Sequence, residues 1–427
     1  MTINVGLIGC GVVGSGVVEL LARNAFDIAN RCGEPINLVK VLEIDTKKLD
    51  AAGVAADIRV NDINDILDDD DINVIVEVMG GIEPARTYIL EAMRRGKNVV
   101  TANKDLIAVA GGELLDTAAD HGVDFMFEAS VGGGIPVIAP LKQSLPGNRL
   151  QQVIGIVNGT TNYILTKMSR EGSSFTDVLA EAQHLGYAEA DPTSDTEGID
   201  AARKITILAS IAFNSRLTLD DVYVEGITRI TPQDINYGRE LGYTIKLLAI
   251  AKEIDGSIQV RVHPAFIPNH HPLAAVNGVF NAIFMTGDAV GDVMLYGRGA
   301  GKEPTASAVV GDLMEIGRNL KYHSTGRIGC TCYEHKKVLP IDELISKYYI
   351  RMTVVDRPGV LATIAGVFGA NEVSLATVLQ KTAGQAAQLI LITHQVKEAN
   401  LQDSLAVLKA LSMVDSIDNV IRVEGDN

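Results

Sequence analysis

The first third of the chain alternates short aliphatic runs with longer stretches of helical periodicity. The runs fall at residues 5–8, 38–42, 74–79, 98–101 and 125–128, with helix-like segments such as 86–95 and 113–121 between them. Strands that are apolar throughout and separated by helices predict a doubly wound parallel sheet covered on both faces. Residues 131–330 are less regular and rich in Gly, Asn, Thr and Asp. They hold two long helical candidates, 176–185 and 199–213, and strand-like runs near 153–157 and 260–267, which together predict a mixed α+β domain. Residues 320–348 carry Gly, Pro and clustered charge, which suits a connector. Beyond it, 349–355 reads as a strand, 356–359 as a turn and 360–369 as a helix. Strands at 374–379 and 387–394, a helix at 401–411 and a strand at 420–423 complete a ferredoxin-like βαββαβ unit.

Composition narrows the class. With 47% apolar residues the chain is not disordered, and no apolar run approaches the ~18 residues of a membrane-spanning helix. Lys and Arg total 37 against 53 Asp and Glu, a net charge of −16 that argues against nucleic acid or an anionic membrane as partner. Cys10, Cys32, Cys330 and Cys332 are few for 427 residues and suit a reducing compartment. Residues 1–14 read as strand and glycine turn with no basic flank, so no signal peptide is expected and a cytoplasmic protein is. At roughly 150 residues per domain the length suggests about three domains.

Gly9-Cys10-Gly11-Val12-Val13-Gly14 follows directly on the first strand and opens a helix running to about Arg23. Glycines there let the backbone turn tightly and approach a pyrophosphate, while the helix amino terminus supplies N–H groups and partial positive charge. The pattern therefore predicts a dinucleotide cofactor, a purely structural turn being the alternative. The second strand ends at Glu43-Ile44-Asp45, where an acidic side chain would accept from the ribose hydroxyls of NAD and repel the 2′-phosphate of NADP. Lys47 and Lys48 follow and could instead pair with that phosphate, so NAD is only weakly favoured. A solvated strand end is the plain alternative for Glu43.

Three other stretches carry candidate chemistry. Residues 100–104, VTANK, place polar groups beyond the carboxyl end of an apolar strand, the edge where open α/β sheets bind ligands. Residues 128–136, EASVGGGIP, form a flexible crossover, and 186–195, GYAEADPTSD, form an acidic loop leading to a helix with Asp200 and Lys204. Those two lie four apart on one helical face, carboxylate first, which is the favourable order. Ala201 and Leu208 place the pair at the border of an apolar surface, where partial burial would hold the lysine and lower its pKa towards proton transfer. A surface ion pair on an amphipathic helix is the alternative. Cys330-Thr331-Cys332 and His270-His271 lack zinc-ligand spacing and read as packing.

Taken together, VTANKDLIA (100–108), EASVGGGIP (128–136), NGTTNYIL (158–165), GYAEADPTSDTEGIDAARK (186–204) and GRGAGKEPTASAVVGD (297–312) resemble homoserine dehydrogenases of the kind with a carboxy-terminal ACT regulatory domain, over essentially the whole chain. The resemblance implies a Rossmann-type domain at 1–130, completed by roughly 298–320, and a catalytic and dimerisation domain at 131–320. It also implies a connector at 321–348 and an ACT domain at 349–427. The implied reaction is the reversible NAD(P)-dependent interconversion of L-homoserine and L-aspartate 4-semialdehyde, on the route to threonine, methionine and isoleucine. Lys204 is implied as general acid/base with Asp200 beside it, Lys104 as its partner at the substrate oxygen, and Glu189 as the grip on the substrate ammonium. Asp195 is a further substrate-side candidate. Thr101 and Ala102 would line the nicotinamide, and Gly301 would approach the cofactor with Gly9, Gly11, Val12, Val13 and Gly14. Glu128 with the carbonyls of Val131, Gly133 and Ile135 resembles a monovalent-cation site, usually Na+. NADP-using members commonly carry a basic residue where this chain has Glu43-Ile44-Asp45.

Residues 355–362, VDRPGVLA, look like the ACT signature, with Asp356, Gly359, Asn371 and Ser374 as effector contacts and threonine as the implied inhibitor between paired domains. The implied assembly is a homodimer or homotetramer, and a dimerisation module that binds nothing is the alternative for this domain. Two rival readings remain: another NAD-linked amino-acid oxidoreductase, and a non-catalytic amino-acid sensor.

Overall fold

Six parallel strands organise the amino-terminal region: β1 (Ile3–Ile8), β2 (Ile36–Leu42), β3 (Arg59–Val60), β4 (Val74–Glu77), β5 (Asn98–Thr101) and β6 (Phe125–Met126). Their order is β3-β2-β1-β4-β5-β6, with Leu7 of β1 paired to Val41 on one side and Val76 on the other. Ile3, Val5, Leu7, Val74 and Val76 have no exposure, as a sheet covered on both faces demands. The strand order runs outward in both directions from β1, so the carboxyl ends of β1 and β4 flank the switch point where such sheets bind ligands. The structure is a computed structural model describing residues 2–383 and 386–425. It forms two compact units, the first built from residues 1–153, 203–219 and 281–335, the second from 154–202, 220–280 and 336–427.

In the first unit, helix Lys302–Lys321 packs Ala306, Val309, Val310 and Leu313 into the same core as Val17 and Leu21 of helix Val12–Arg23. The helix expected at 113–121 extends over Lys104–His121. Its start lies earlier because Asn103 caps it, the side-chain oxygen accepting from the Leu106 N–H at 3.1 Å.

The second unit carries a mixed sheet. Strands β7 (Tyr243–Ile254) and β8 (Ser257–Pro268) form an antiparallel hairpin paired from Ser257↔Ile254 to Pro268↔Tyr243. Asp255 and Gly256, with φ of +50° and +76°, make the two-residue turn that an Asp-Gly pair favours. The carboxy-terminal βαββαβ unit follows as β9 (Ile345–Val355), helix Val360–Ala370, β10 (Leu375–Ala383), β11 (Ala386–Thr393), helix Glu398–Lys409 and β12 (Val414–Val423). It is not strung on a free linker. β12 pairs in parallel with β8 through Ala265↔Arg422 and Phe266↔Val423, giving one sheet ordered β7-β8-β12-β9-β11-β10. Among the described residues no helix is long and apolar enough to cross a membrane.

Buried charges fasten that joint. Asp234, with no exposure, lies 2.6 Å from the Arg351 Nε and accepts from Tyr349, Thr231 and Asn419 at 3.2, 2.6 and 2.9 Å. Glu424 pairs with Arg261 and with Lys252. Burial pushes the Asp234 carboxyl up, but the hydrogen bonds from Arg351, Thr231 and Asn419 outweigh it and hold it below the usual range. A carboxyl depressed in the native state adds stability above its unfolded pKa of ~3.9, and that contribution is lost as pH falls through the native value. Removing one partner of such a pair leaves an uncompensated buried charge. Arg351→Ala is therefore expected to cost about 3–5 kcal/mol in denaturant unfolding near neutral pH. A loss below ~1 kcal/mol would contradict this account of the joint.

Candidate active site

The glycine loop is shaped for a close-approaching ligand. A Cβ on Gly14 would sit 2.1 Å from the Gly9 carbonyl oxygen, whereas one on Gly11 would meet nothing within 4 Å. The helix Val12–Arg23 thus begins with Gly11 as its cap, without a side chain over its first N–H groups, and with Val12 exposed. That is an open, positively polarised cradle of the kind a pyrophosphate fits. Glu43 has a second task that the sequence did not disclose. Its Oε2 accepts from the Cys10 N–H at 2.9 Å and its Oε1 from the Asp45 N–H at 3.1 Å, so it ties β2 to the glycine loop. Burial raises its pKa, but the Asp45 and Cys10 N–H groups and Lys48 outweigh that, leaving it lowered and ionised. A merely solvated strand end is thereby set aside. Lys47 and Lys48 are exposed beside it.

At the next strand ends a residue overlooked in the sequence does the organising. Glu77, fully buried, accepts from the N–H groups of Met79 and Gly80 at 2.9 and 3.2 Å and from the Thr101 hydroxyl at 2.7 Å. Thr101 in turn accepts from the Asn103 N–H at 3.0 Å, and Asn103 holds the Gly81 carbonyl at 2.6 Å. The chain around Ala102 is thus fixed, and half-buried Lys104 starts the following helix. Asp105, beside Lys104, lies 3.1 Å from the Nε of Arg203, beside Lys204. This ion pair brings the first turn of helix Lys104–His121 to the turn of helix Ile199–Ala212 that bears Lys204. Lys204 and Asp200 are 9% and 6% exposed, which removes the reading of a surface ion pair. Gly301, at φ +126°, caps helix Lys302–Lys321.

Within the second unit, Asn158 gathers two of the expected carboxylates. Its amide nitrogen donates to Asp195 Oδ1 at 2.7 Å and to Asp200 Oδ2 at 2.9 Å. Its oxygen accepts from the Thr161 N–H and hydroxyl, both at 2.9 Å, capping helix Gly159–Glu171. The side chain is therefore locked from both ends. Glu189 stands apart in an exposed loop, where Gln183 holds its backbone carbonyl at 3.1 Å.

The crossover expected to hold a cation uses its carboxylate differently from the sequence reading. Glu128 accepts from the N–H groups of Val137 and Ile138 at 2.5 and 2.8 Å through one oxygen, and from Ala139 at 2.6 Å through the other. Three of about four lone-pair sites are thereby occupied. Its own N–H donates to Asp312 at 2.9 Å, and burial together with Glu128 pushes the Asp312 carboxyl well up. Gly133 has φ +55°, and a Cβ there would fall 2.5 Å from the Gly299 carbonyl oxygen. Val131 and Ile135 are buried, and among the described residues no backbone N–H donates to the carbonyls of Val131, Gly133 or Ile135. Oxygen donors of this kind fit a hard cation. No group of three or more His, Cys, Asp or Glu is placed to hold a metal ion among the described residues.

The four effector candidates divide between two ends of one helix. Gly359, at φ +89°, caps the amino end of helix Val360–Ala370, and Asp356 precedes it, within 3.4 Å of Gln380. Asn371 closes the carboxyl end, donating to the Val367 carbonyl at 2.9 Å, and exposed Ser374 follows. Eleven residues at ~1.5 Å each separate the pairs by about 16 Å. One copy of the chain does not bring all four to a single small ligand.

Residues 9–128 match the family described as homoserine dehydrogenase, NAD binding domain, residues 136–314 match homoserine dehydrogenase, and residues 348–412 match the ACT domain. A homoserine dehydrogenase of Bacillus subtilis is 43% identical over 99% of both chains, and one of Corynebacterium glutamicum 45% identical over 99% of this chain and 96% of that one. The crystal structure of a homoserine dehydrogenase from Thiobacillus denitrificans superposes with a TM-score of 0.95 at 42% identity, covering 99% of this chain and 98% of that one. A hyperthermophilic archaeal homoserine dehydrogenase mutant in complex with NADPH has a TM-score of 0.64 at 29% identity, covering 75% of this chain and 98% of that one. Three matched domains in order, and relatives above 40% identical along nearly the whole length, establish that the chain belongs to the homoserine dehydrogenase family.

Proposed function

We propose that the chain catalyses the reversible NAD(P)-dependent interconversion of L-homoserine and L-aspartate 4-semialdehyde. The observation that carries the reading is the Arg203–Asp105 ion pair, which lies one residue from each of Lys204 and Lys104. A bound nicotinamide dinucleotide supplies the hydride chemistry. Lys204 takes the hydroxyl proton in oxidation and returns it to the carbonyl oxygen in reduction, and Lys104 adds a second positive charge where alkoxide character develops. Asp200, held by Asn158, steadies Lys204 four residues along one helical face. Asp195 and Glu189 offer the anionic grip that a zwitterionic substrate requires. Thr101, Ala102 and Gly301 would border a bound cofactor, and Gly9, Gly11, Val12, Val13 and Gly14 would hold its pyrophosphate.

NAD is the favoured cofactor because the ionised Glu43 opposes a 2′-phosphate, against Lys47 and Lys48. The carbonyls of Val131, Gly133 and Ile135, with the charge and remaining lone pair of Glu128, would hold Na+. Threonine is the proposed effector, bound between the ACT units of two copies in a homodimer or homotetramer, since the four candidate contacts divide between two ends of a helix. Contacts within the second unit support a route from the ACT unit towards Asp195. Arg422 of β12 bonds Glu398 at 3.0 Å and Glu225 at 2.9 Å, while nearby Ile227 donates to the Thr196 carbonyl at 2.8 Å, next to Asp195. The low cysteine content favours the cytoplasm.

Lys204→Ala is expected to lower homoserine turnover by ~10²-fold or more while leaving cofactor affinity nearly unchanged. A variant keeping more than about a tenth of the wild-type rate would contradict the acid/base role. Glu43→Gln, which keeps an acceptor for the Cys10 N–H, should weaken NAD by about tenfold and NADP by less, read from initial rates. Equal effects would remove the cofactor preference. Truncation before β9 is a poor regulatory test, since it would strip Asp234 and Arg261 of their partners. Asn371→Ala should instead raise the threonine concentration needed for inhibition and leave the uninhibited rate unchanged; an unaltered threonine response would place the effector elsewhere.

A further inference from the structure

A cluster of two cysteines with a guanidinium lies in the first unit, and the roles above use none of its three side chains. The Arg216 guanidinium pairs with Asp116 at 2.8 Å and reaches to 3.8 Å from Cys330 Sγ. The Cys332 N–H donates to the same sulfur at 3.4 Å, and Cys332 Sγ lies 3.3 Å from the Ser210 carbonyl oxygen. Lys142 adds a second cation nearby, its ammonium 5.4 Å from the centre of the Phe127 ring. Both sulfurs line a cavity of about 560 Å³ whose wall is mainly apolar, with Ile107, Phe127, Ile207 and Leu217 prominent. The other two cysteines, Cys10 and Cys32, are buried, and burial raises their thiols.

We propose that Cys330 is a nucleophilic thiolate and that this cavity admits apolar α,β-unsaturated carbonyl compounds to it. In the addition a sulfur–carbon bond forms at the β carbon while the C=C π bond breaks. The electron pair moves onto the carbonyl oxygen, and the resulting enolate takes a proton from water. Donors and charge combine to favour the anion at Cys330. The Cys332 N–H and the Arg216 guanidinium, against burial, hold the Cys330 thiol below its ordinary value, while the neighbouring Cys330 and burial push Cys332 up.

Two opposing effects set the expected selectivity. At pH 6 a thiol held below its ordinary value keeps a larger thiolate fraction than one of pKa ~8.5, and its lower basicity returns only part of that gain through a Brønsted slope of ~0.4–0.5.

Limiting N-ethylmaleimide on the full chain, followed by peptide mapping, tests the proposal. Cys330 should be alkylated several-fold faster than Cys332, Cys10 or Cys32 at pH 6, with a rate that rises far less than tenfold per pH unit from pH 6 to 8. Preference for another cysteine, or a Cys330 rate rising about tenfold per pH unit across that range, would overturn it. Arg216→Met should slow the Cys330 reaction several-fold at pH 6, and Arg216→Lys should retain most of it. Because exposure alone would leave that rate indifferent to the charge at position 216, equal rates in the two variants would also refute the site.

Discussion

Glu77 is wholly shut from water, and three donors, two from the loop after β4 and one from the end of β5, meet its two oxygens. A buried carboxyl group is tolerable only when hydrogen-bonded, so the requirement becomes a constraint on the backbone that supplies the donors. The same device recurs along the chain. Glu43 fixes the glycine loop, Glu128 fixes residues 137–139, Asn158 satisfies Asp200 and Asp195, and Arg351 satisfies Asp234. Glu43, Glu77 and Glu128 each hold backbone N–H groups of the chain just beyond a strand or crossover, whereas Asp200 and Asp234 tie helices to neighbouring elements. Lys104 opens the helix that Asn103 caps, and Lys204 lies on the helix whose Asp200 is held by Asn158.

Such anchoring suits a hydride transfer. The protein's share of that reaction is alignment and the handling of one proton, both sensitive to small displacements of the groups involved. Lys104 follows directly on the Glu77–Thr101–Asn103 chain, and Lys204 follows one turn after Asp200. Neither lysine depends on a long flexible loop for its position. The βαββαβ unit, in turn, is built into the sheet of the second unit through β8 and β12, and Arg422 of β12 is ion-paired with Glu225. Coupling in the thermodynamic sense still requires two states that ligands favour differently.

Much of this was legible in the residues. Aliphatic runs gave the parallel sheet because its strands are buried on both faces, and Gly9, Gly11 and Gly14 marked a turn whose tightness Gly14 now explains. The helix bearing Asp200 and Lys204 was visible in its periodicity. What stayed hidden depended on contacts between distant positions. Arg351 and Asp234 are 117 residues apart, and parallel pairing of β8 with β12 leaves no local signal. Asn158 and Asp312 lay inside recognised stretches without a visible role, because their partners sit far along the chain. Strand β12 was placed only at 420–423 since the preceding residues interleave Asp, Ser and Asn with Ile and Val.

The most direct measurement is the initial rate of reduced-cofactor formation when the intact protein is given L-homoserine with NAD or with NADP. The account predicts homoserine-dependent reduction, faster with NAD. Folded protein that reduces neither cofactor, where a known homoserine dehydrogenase does, would contradict it.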